Sequence, residues 1–326
     1  MARRHPVSAH PTVGLHCPHG RAACRVEVRQ QHLLDLTPLL YDGPILFCNE
    51  SILERGERLL RGYEPEIGRA LGDILRAEGL DVRTGARVIR VRADHGGVVV
   101  TAEIDGREHT FAAARVLVAT GRQPNTAGVG LEDAGGRLDA RGAVVVDESL
   151  RTRVPSSWAA GDVIGAEQDS QMATPVGVRD AGIAAHNALS GAVPRHVDHR
   201  VIPRAVFTDP QVGAVGLTDE EANAAGHTCW CNTVPMEVVP RAGAIHDTRG
   251  VIKMVADADT NEVLGVSMLG ATAAEVIHEA AMGLRFHATI DDFIDLLHVY
   301  PTMAEALKIV AISRYKDPNT LSCCAD

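Results

Sequence analysis

Residues 115–125 have the sequence Arg-Val-Leu-Val-Ala-Thr-Gly-Arg-Gln-Pro-Asn, and this stretch decides how the fold is interpreted. The apolar run Val116–Ala119 is short, which predicts a buried strand. The strand is predicted to end in Thr120-Gly121, where the chain turns. The segments on either side show which larger arrangement this strand belongs to.

The segment before it is predicted to form a strand, a helix and three further strands. Residues 51–55 predict the end of the first strand, and Glu64-Pro65 opens a helix with one apolar face that Gly79 closes. Asp105-Gly106 is typical of a hairpin turn. The three strands are predicted at residues 88–91, 98–104 and 107–112.

A second strand-to-turn pattern, Ser-Trp-Ala-Ala-Gly-Asp, lies at residues 157–162. We interpret it as a strand that ends at Gly161-Asp162, before a loop and a long helix from about Met172 to Leu189. The N-terminus of that helix, near Ala173 and Thr174, would direct its dipole at an electron-rich group. An aspartate after a strand is also a common turn residue, so this pattern alone leaves both roles open.

From Ile202 onward, short strands and helices form another unit. Cys229 and Cys231 lie in or beside a strand, and alternation along the strand places both on one face. Buried structural thiols are favoured over metal ligands at these two positions. Strands are predicted at residues 202–210, 212–216, 234–239, 250–256 and 263–269, and helices at 218–225, 272–286 and 290–297.

The C-terminal stretch combines His-Val-Tyr-Pro-Thr-Met-Ala-Glu at residues 298–305 with Leu-Ser-Cys-Cys-Ala-Asp at residues 321–326. Thr302 and Glu305 have the spacing of a capping box before an apolar helix, and capping alone could explain both residues. Two adjacent thiolates, Cys323 and Cys324, suit a soft metal ion better than a structural disulfide. They could also be ordinary thiols of a polar tail.

Composition excludes several function classes. The chain has 326 residues, a net charge of -10 and 45% hydrophobic residues, which predicts two or three globular domains and no general binder of nucleic acid or anionic membranes. No apolar run is long enough to cross a bilayer, and the N-terminus has no apolar core of a secretory signal. Seven scattered cysteines favour a reducing cytoplasm over a disulfide framework.

Together these motifs resemble the flavin disulfide reductases, and the mercuric reductases among them, from about Ser51 to Asp326. The motifs are Ala-Thr-Gly-Arg-x-Pro-Asn at 119–125, Ala-Ala-Gly-Asp at 159–162, Phe-Thr-Asp-Pro-Gln-Val at 207–212, Tyr-Pro-Thr-Met-x-Glu at 300–305 and Leu-Ser-Cys-Cys at 321–324. The resemblance implies an α/β plus α+β chain, with partial Rossmann-like FAD- and NAD(P)-binding domains followed by an antiparallel-sheet dimerisation domain. The implied parts are an unassigned leader (1–47), a partial NAD(P)-binding domain (48–121), the C-terminal part of an FAD-binding domain (122–195), and a dimerisation domain with the Cys-Cys tail (196–326).

The resemblance also assigns the cofactor sites. Gly161, Asp162 and Ala173 would bind FAD, with the aspartate accepting hydrogen bonds from the ribityl hydroxyls. Gly121, Glu54 and Arg55 would bind the nicotinamide cofactor. A carboxylate at the end of the second strand suits the ribose of NADH, whereas an arginine suits the 2′-phosphate of NADPH, so Glu54 and Arg55 leave NADPH or NADH open.

The implied reaction is the reduction of Hg(II) to Hg(0) by NAD(P)H through FAD in a cytoplasmic homodimer. Tyr300 and Glu305 would be catalytic, and Cys323 and Cys324 would bind the metal and deliver it. Most relatives carry histidine where Tyr300 stands, and a phenol favours Hg(II) over a disulfide substrate. The alternatives are a dihydrolipoamide dehydrogenase-like disulfide reductase and a non-catalytic dimer that binds thiophilic metals.

The sequence departs from the family pattern at its N-terminal side. No Gly-rich GxGxxG turn lies about twenty residues before Glu54, where the family places it. A first flavin-binding GxGxxG and a redox-active CxxxxC are also absent from the 326 residues. The sequence therefore resembles a reductase truncated at its N-terminus, and we do not expect it to turn over alone.

Overall fold

The computed structural model describes residues 50–94, 96–165, 171–190 and 193–320. The chain divides into two compact units with the boundary between Val118 and Ala119. The predicted leader and the Cys323-Cys324 tail lie outside the described residues.

The first unit begins with a small parallel sheet and one helix. Strand β1 (Ser51–Leu53) pairs with β2 (Asp81–Arg83), and helix α1 (Pro65–Ala77) connects them. Pro65 suits the first turn because its missing N–H would have no partner there. Ile67 and Leu71 are buried on the apolar face of α1. The strand at residue 51 and the helix that follows it were predicted, whereas β2 was not.

An antiparallel sheet of three strands completes the first unit. It contains β3 (Arg87–Asp94), β4 (Gly97–Ile104) and β5 (Arg107–Ala113), with β4 in the centre. Asp105 and Gly106 join β4 to β5 with φ angles of 51° and 73°. Two successive positive φ angles match the hairpin turn that the Asp-Gly pair predicts.

Two predicted strands are wrong. Residues 115–120 form no strand, and the side chain of Val118 is 70% exposed. Residues 157–160 contribute only the isolated bridge between Arg151 and Trp158. Extended backbone becomes a strand only where a neighbouring strand satisfies its N–H and C=O groups, and the described residues supply no such neighbour at either place.

A 3₁₀ turn and a long helix lie in the first part of the second unit. The turn spans Gly161–Ile164, and helix α2 spans Thr174–Leu189, close to the predicted limits. Leu150, Ile164 and Ala184 form a small apolar cluster beneath them. The cluster anchors the turn against the helix.

A five-stranded antiparallel sheet dominates the rest of the second unit, in the order β6-β7-β10-β9-β8. Helix α5 packs on β7 and β10, whereas α7 packs on β8 and β9. Ile252, Met254, Met268, Ile277 and Leu307 are fully buried in the core that results. The strands are β6 (Arg204–Val206), β7 (Gln211–Gly216), β8 (Cys229–Pro235), β9 (Val251–Asp257) and β10 (Val263–Gly270), and the helices are α3 (Asp219–Ala224), α4 (Pro240–Ala244), α5 (Ala273–Arg285), α6 (Ile290–Asp295) and α7 (Glu305–Ile312).

The strand predicted at residues 234–239 is displaced. Strand β8 ends at Pro235, and Met236–Val238 form a 3₁₀ turn before Pro240 opens α4. Proline has no N–H to donate, so the two prolines end the strand and start the helix. Met236 and Val239 are buried in this turn, and their apolar side chains produced the strand signal.

Candidate functional site

Tyr300 lies on the loop between α6 and α7, with 52% of its surface exposed. Helix α7 begins at Glu305, whose buried carboxylate accepts a hydrogen bond of 2.9 Å from the Thr302 N–H. The hydroxyl of Thr302 is buried and has no hydrogen-bond partner among the described residues. Only one of the two hydrogen bonds of the predicted capping box is therefore present. The other is missing because the helix starts after Ala304 and not directly after Thr302.

The described residues show no hydrogen bond between the Tyr300 hydroxyl and Glu305. The carboxylate instead holds the turn that follows the tyrosine. Glu305 thus has a clear structural role in this loop, and its catalytic role stays a prediction.

His298 fixes the same loop from its other end. Its side chain is 4% exposed, and its Nε2 lies 2.8 Å from Oε1 of Glu279 in α5. Its Nδ1 lies 3.2 Å from the carbonyl oxygen of Leu296. Both neighbours are acceptors, so the doubly protonated ring can donate from both nitrogens. The hydrogen bond to Glu279 raises the pKa of His298, against the opposing effects of burial and of Lys308.

The sequence alone predicted no role for His298. Its partner Glu279 is 19 residues away on another helix, a separation that matches no helix or strand period. In the sequence, His298 stands between the apolar residues Leu297 and Val299. Buried polar groups are hydrogen-bonded, so a polar ring in an apolar run indicates that the ring has a hydrogen-bond partner. That signal does not identify the partner.

Exposed apolar side chains surround this loop. Leu297 is 90% exposed, and Val299 and Tyr300 are also exposed. Met282 and Phe286 lie three and seven residues after Glu279, so they share its face of α5 and are exposed as well. An apolar surface of this kind on one unit is typical of a protein interface.

A second cluster brings together several residues of the predicted flavin site. The Arg122 guanidinium, directly after Gly121, forms an ion pair with the Asp162 carboxylate and donates a hydrogen bond to the carbonyl oxygen of Met172. Met172 precedes Ala173, the N-cap residue of α2. Arg122 thus connects the Gly121 turn, Asp162 and the start of α2.

Position 161 favours glycine for two reasons, the backbone conformation of the turn and the short distance to α2. Its φ angle is 77°, and an added Cβ would lie 3.5 Å from Gly177 Cα on the first turn of α2. Two glycines therefore let the turn and the helix approach closely.

The cluster fits a flavin. Ala173 makes no side-chain cap bond to α2, so the N–H groups of this 16-residue helix can meet an electron-rich ring. The Asp162 carboxylate can accept hydrogen bonds from the ribityl hydroxyls. These residues would hold the cofactor from one side.

Glu54 and Arg55 were predicted to form the end of the first strand, and they lie directly after β1. The Glu54 carboxylate accepts a hydrogen bond of 2.6 Å from the Gly56 N–H, and Arg55 is exposed. The side chain of Arg61 crosses Gly56, since an added Cβ there would lie only 2.2 Å from Arg61 Cδ. Two arginines thus flank the end of β1 while the carboxylate is engaged in a local turn.

The expectation that Cys229 and Cys231 are buried is wrong. Both lie on β8, the edge strand of the sheet, where Cys229 is half-buried and Cys231 is exposed. An edge strand has a neighbour on one side only, which leaves its outer side chains open to solvent. In the described part of the chain, no group of three or more His, Cys, Asp or Glu side chains is arranged to hold a metal. Cys323 and Cys324 lie outside that part and stay predicted metal ligands.

Comparison with known families assigns both units. The family model for pyridine nucleotide-disulphide oxidoreductases matches residues 45–185, and the model for the dimerisation domain of that family matches residues 202–311. The chain belongs to the pyridine nucleotide-disulphide oxidoreductase family. The predicted fold class and the predicted family resemblance are therefore confirmed, and members of this family use FAD and NAD(P)H.

Individual relatives include proteins with different substrates. Mercuric reductase of Staphylococcus aureus is 38% identical over 275 residues, which are 84% of this chain and 49% of the relative. Dihydrolipoyl dehydrogenase of Haloferax volcanii is 35% identical over 263 residues, which are 80% of this chain and 54% of the relative. The chain therefore spans about half the length of the curated relatives it matches.

A solved structure of the same family shares the fold. The HOCl-induced flavoprotein disulfide reductase RclA from Escherichia coli superposes with a TM-score of 0.72 and 32% identity, over 82% of this chain and 60% of RclA. Among the described helices, none has the length and apolar character needed to cross a membrane.

The first prediction concerns His298. A raised pKa means that the imidazolium stabilises the fold fully below the ordinary pKa of 6.5, and that this contribution disappears as the pH rises through the raised value. Replacing His298 by Asn should cost about 2 kcal/mol of unfolding free energy at pH 6, as for a hydrogen bond to a charged group. The cost should shrink at pH 9. Urea unfolding of the dimerisation-domain signal at both pH values measures this difference.

The matched control is His109→Asn, an exposed histidine on β5, which should leave stability nearly unchanged. NMR titration of the parent should place the His298 pKa above 6.5, and Glu279→Gln should lower it. A His298 pKa that does not move in Glu279→Gln would contradict the assigned ion pair.

Proposed function

We propose that this chain carries the nicotinamide side, part of the flavin site and the metal-delivery end of a mercury(II) reductase. The enzyme would act in the cytoplasm and reduce Hg(II) to Hg(0) with electrons from NADPH. One observation carries this proposal: the loop before α7 presents an exposed phenol, Tyr300, with no hydrogen bond to the carboxylate of Glu305. The mercuric reductases among the relatives support it.

The tyrosine separates two substrate classes. Reduction of a disulfide releases thiolates that must be protonated, and a histidine paired with a carboxylate suits that task. A phenol has an ordinary pKa near 10 and is a poor acid-base group at neutral pH. Transfer of a metal ion between thiolates needs no such group, because the thiolates themselves are the ligands. The loop therefore supports Hg(II) better than a disulfide.

The roles of the chain's own residues follow. Cys323 and Cys324 bind Hg(II) as thiolates and release two protons. Tyr300 contacts the metal during its transfer, while Glu305 and His298 hold the loop that carries the phenol. Gly161, Asp162 and Ala173 would hold FAD, which would supply the electron pair that originates from NADPH. Hg(II) gains those two electrons and leaves as Hg(0), and the thiolates are regenerated.

A disulfide reductase is the second candidate, since the chain also matches a dihydrolipoyl dehydrogenase at 35% identity. Tyr300 and the Cys323-Cys324 pair count against it. A dimer that binds thiophilic metals without catalysis would use the same tail and would lack only the redox step.

NADPH is the proposed electron donor. The exposed Arg55 and the neighbouring Arg61 bring two positive charges to the end of β1, where the adenosine ribose of the cofactor binds in this type of fold. Glu54 is engaged with the Gly56 N–H, which reduces its availability to a ribose hydroxyl. Two guanidinium groups suit a 2′-phosphate.

The second prediction tests this preference without redox chemistry. The chain should bind 2′,5′-ADP more tightly than 5′-ADP, and Arg61→Gln should reduce the affinity for 2′,5′-ADP by about tenfold, or about 1.4 kcal/mol. Isothermal titration calorimetry measures both constants. Arg107→Gln, an exposed arginine of β5, is the matched control and should change nothing. Equal affinity for the two nucleotides would contradict the assignment of NADPH.

The third prediction concerns the proposed homodimer. The exposed apolar residues of the loop and of α5 would be covered by a second copy, so the chain should sediment as a dimer at micromolar concentration. Leu297→Glu places a charge on this surface and should shift the equilibrium toward monomer. Leu189→Glu makes the same change at an exposed leucine of α2 and should leave the dimer intact. A parent chain that sediments as a monomer would contradict the proposal.

The fourth prediction concerns metal delivery. Replacing Cys323 and Cys324 by alanine should remove the tightest Hg(II)-binding step, because two thiolates on adjacent residues can both ligate one soft ion. Competition of Hg(II) between the chain and a small dithiol measures the loss. The exposed Cys231 is a competing thiol, so Cys229→Ala with Cys231→Ala is the matched control and should retain the tightest step. Unchanged affinity without the tail pair would rule out the delivery role.

A further inference from the structure

We propose that Cys229 and Cys231 form a second site for a soft, two-coordinate metal ion, on the outer face of the edge strand β8. This site is separate from the tail and does not depend on reductase activity. It uses the Cys-x-Cys motif to which the proposed function gives no role.

The strand directs both thiols to one side. The intervening Trp230 packs toward the core, where the Arg314 guanidinium lies 5.6 Å from the centre of its ring. The cysteines therefore point to the opposite face, because side chains alternate along a strand. On that face Cys231 Sγ lies 3.5 Å from the Asp219 carboxylate at the start of α3.

Charged groups complete the surroundings. Lys253, on the neighbouring strand β9, is 4% exposed, and its Nζ lies 3.9 Å from Asp219 Oδ2. A carboxylate and an ammonium in proximity are close to neutral together. Two thiolates and one divalent cation are also neutral, so the loaded site would add no net charge to this half-buried face.

The spacing excludes a disulfide. Residues two apart on an extended strand have Cα atoms about 6.6 Å apart, with Cβ atoms at a similar separation. A disulfide requires Cβ atoms about 4 Å apart. With metal–sulfur bonds of about 2.3 Å, as for zinc, a linear bridge separates its two sulfurs by about 4.6 Å. Two side chains that lean toward each other can span that distance.

Each thiol donates to an oxygen acceptor in the absence of a metal, Cys231 to Asp219 and Cys229 to His227. Cys229 Sγ lies 3.8 Å from the His227 carbonyl oxygen, to which it donates. A protonated thiol reacts slowly with oxidants and disulfides. A soft cation displaces the proton, so binding converts two thiols and one Hg(II) into a neutral dithiolate complex and two released protons. No electron is transferred.

The class of ion follows from the ligand count. The Asp219 carboxylate beside Cys231 faces the Lys253 ammonium, and in the part of the chain that the structure describes no group of three or more His, Cys, Asp or Glu side chains is arranged to hold a metal. Zn²⁺ in a structural site requires four ligands. A soft ion that accepts two thiolates in a line, such as Hg(II), fits this pair.

Trp230 provides a local readout, because a heavy atom quenches the fluorescence of an adjacent indole. The chain contains only two tryptophans. We would titrate Hg(II) into the full reduced chain in a fixed excess of 2-mercaptoethanol, which leaves metal only at paired-thiol sites. The starting chain carries Cys323→Ser and Cys324→Ser, which removes the tail site and makes the outcome independent of the proposed function.

One bound equivalent should quench most of the Trp230 emission in this chain. Adding Cys229→Ser and Cys231→Ser should abolish the quenching and lower the bound Hg(II) by one equivalent, counted by native mass spectrometry. Trp230→Phe identifies the emission that is lost, since only Trp158 then remains. Cys231→Ser alone changes one exposed atom and serves as the variant if the double replacement does not fold. Quenching that persists without the two thiols, or no quenching in the starting chain, would overturn the proposal.

Discussion

The part-buried bond between His298 and Glu279 is the constraint on which the candidate site depends. It joins α5 to the loop before α7, and it does so two residues ahead of the exposed Tyr300. At the other end of the loop, Glu305 binds the Thr302 N–H. A loop with several exposed apolar side chains would otherwise fold onto the nearest apolar surface, because water opposes their exposure. Glu279 and Glu305 therefore fix the two ends of the loop that carries the exposed phenol.

The candidate flavin site is also held by an ion pair, but this pair is more exposed than the one between His298 and Glu279. Arg122 connects Asp162 to the first residues of α2, and paired glycines let the 3₁₀ turn lie against that helix. The ion pair is largely exposed, so its contribution to stability is small. The ion pair instead fixes the orientation of the Asp162 carboxylate, which it keeps next to the uncapped N-terminus of α2. Both are groups that a flavin can use.

Local patterns predicted the elements that depend on neighbours in sequence. The Asp105-Gly106 hairpin, the proline that opens α1 and the capped helix α3 all follow from short-range chemistry, and all are present. The strands expected near residues 115–119 and 157–160 failed because a strand requires a partner that its own sequence does not specify.

Part of the site could not be predicted from the sequence, because its side chains pair across long sequence separations. No spacing rule links His298 to Glu279, or Arg122 to Asp162, since each pair joins separate elements. The exposure of Cys231 depends on β8 being an edge strand, which is a property of the sheet and not of the Cys-Trp-Cys sequence. Family resemblance predicted which residues bind the cofactors, whereas the structure shows the contacts that position those residues.

The central claim is that this chain provides the delivery end for Hg(II) and not for a disulfide. A chimaera tests it most directly: the part of the Staphylococcus aureus mercuric reductase that precedes its match to this chain would be fused to residues 45–326. The measurement is kcat/KM for NADPH oxidation with Hg(II) and, separately, with lipoamide. The account predicts turnover with Hg(II) and little or none with lipoamide. Turnover with lipoamide and none with Hg(II) would contradict it.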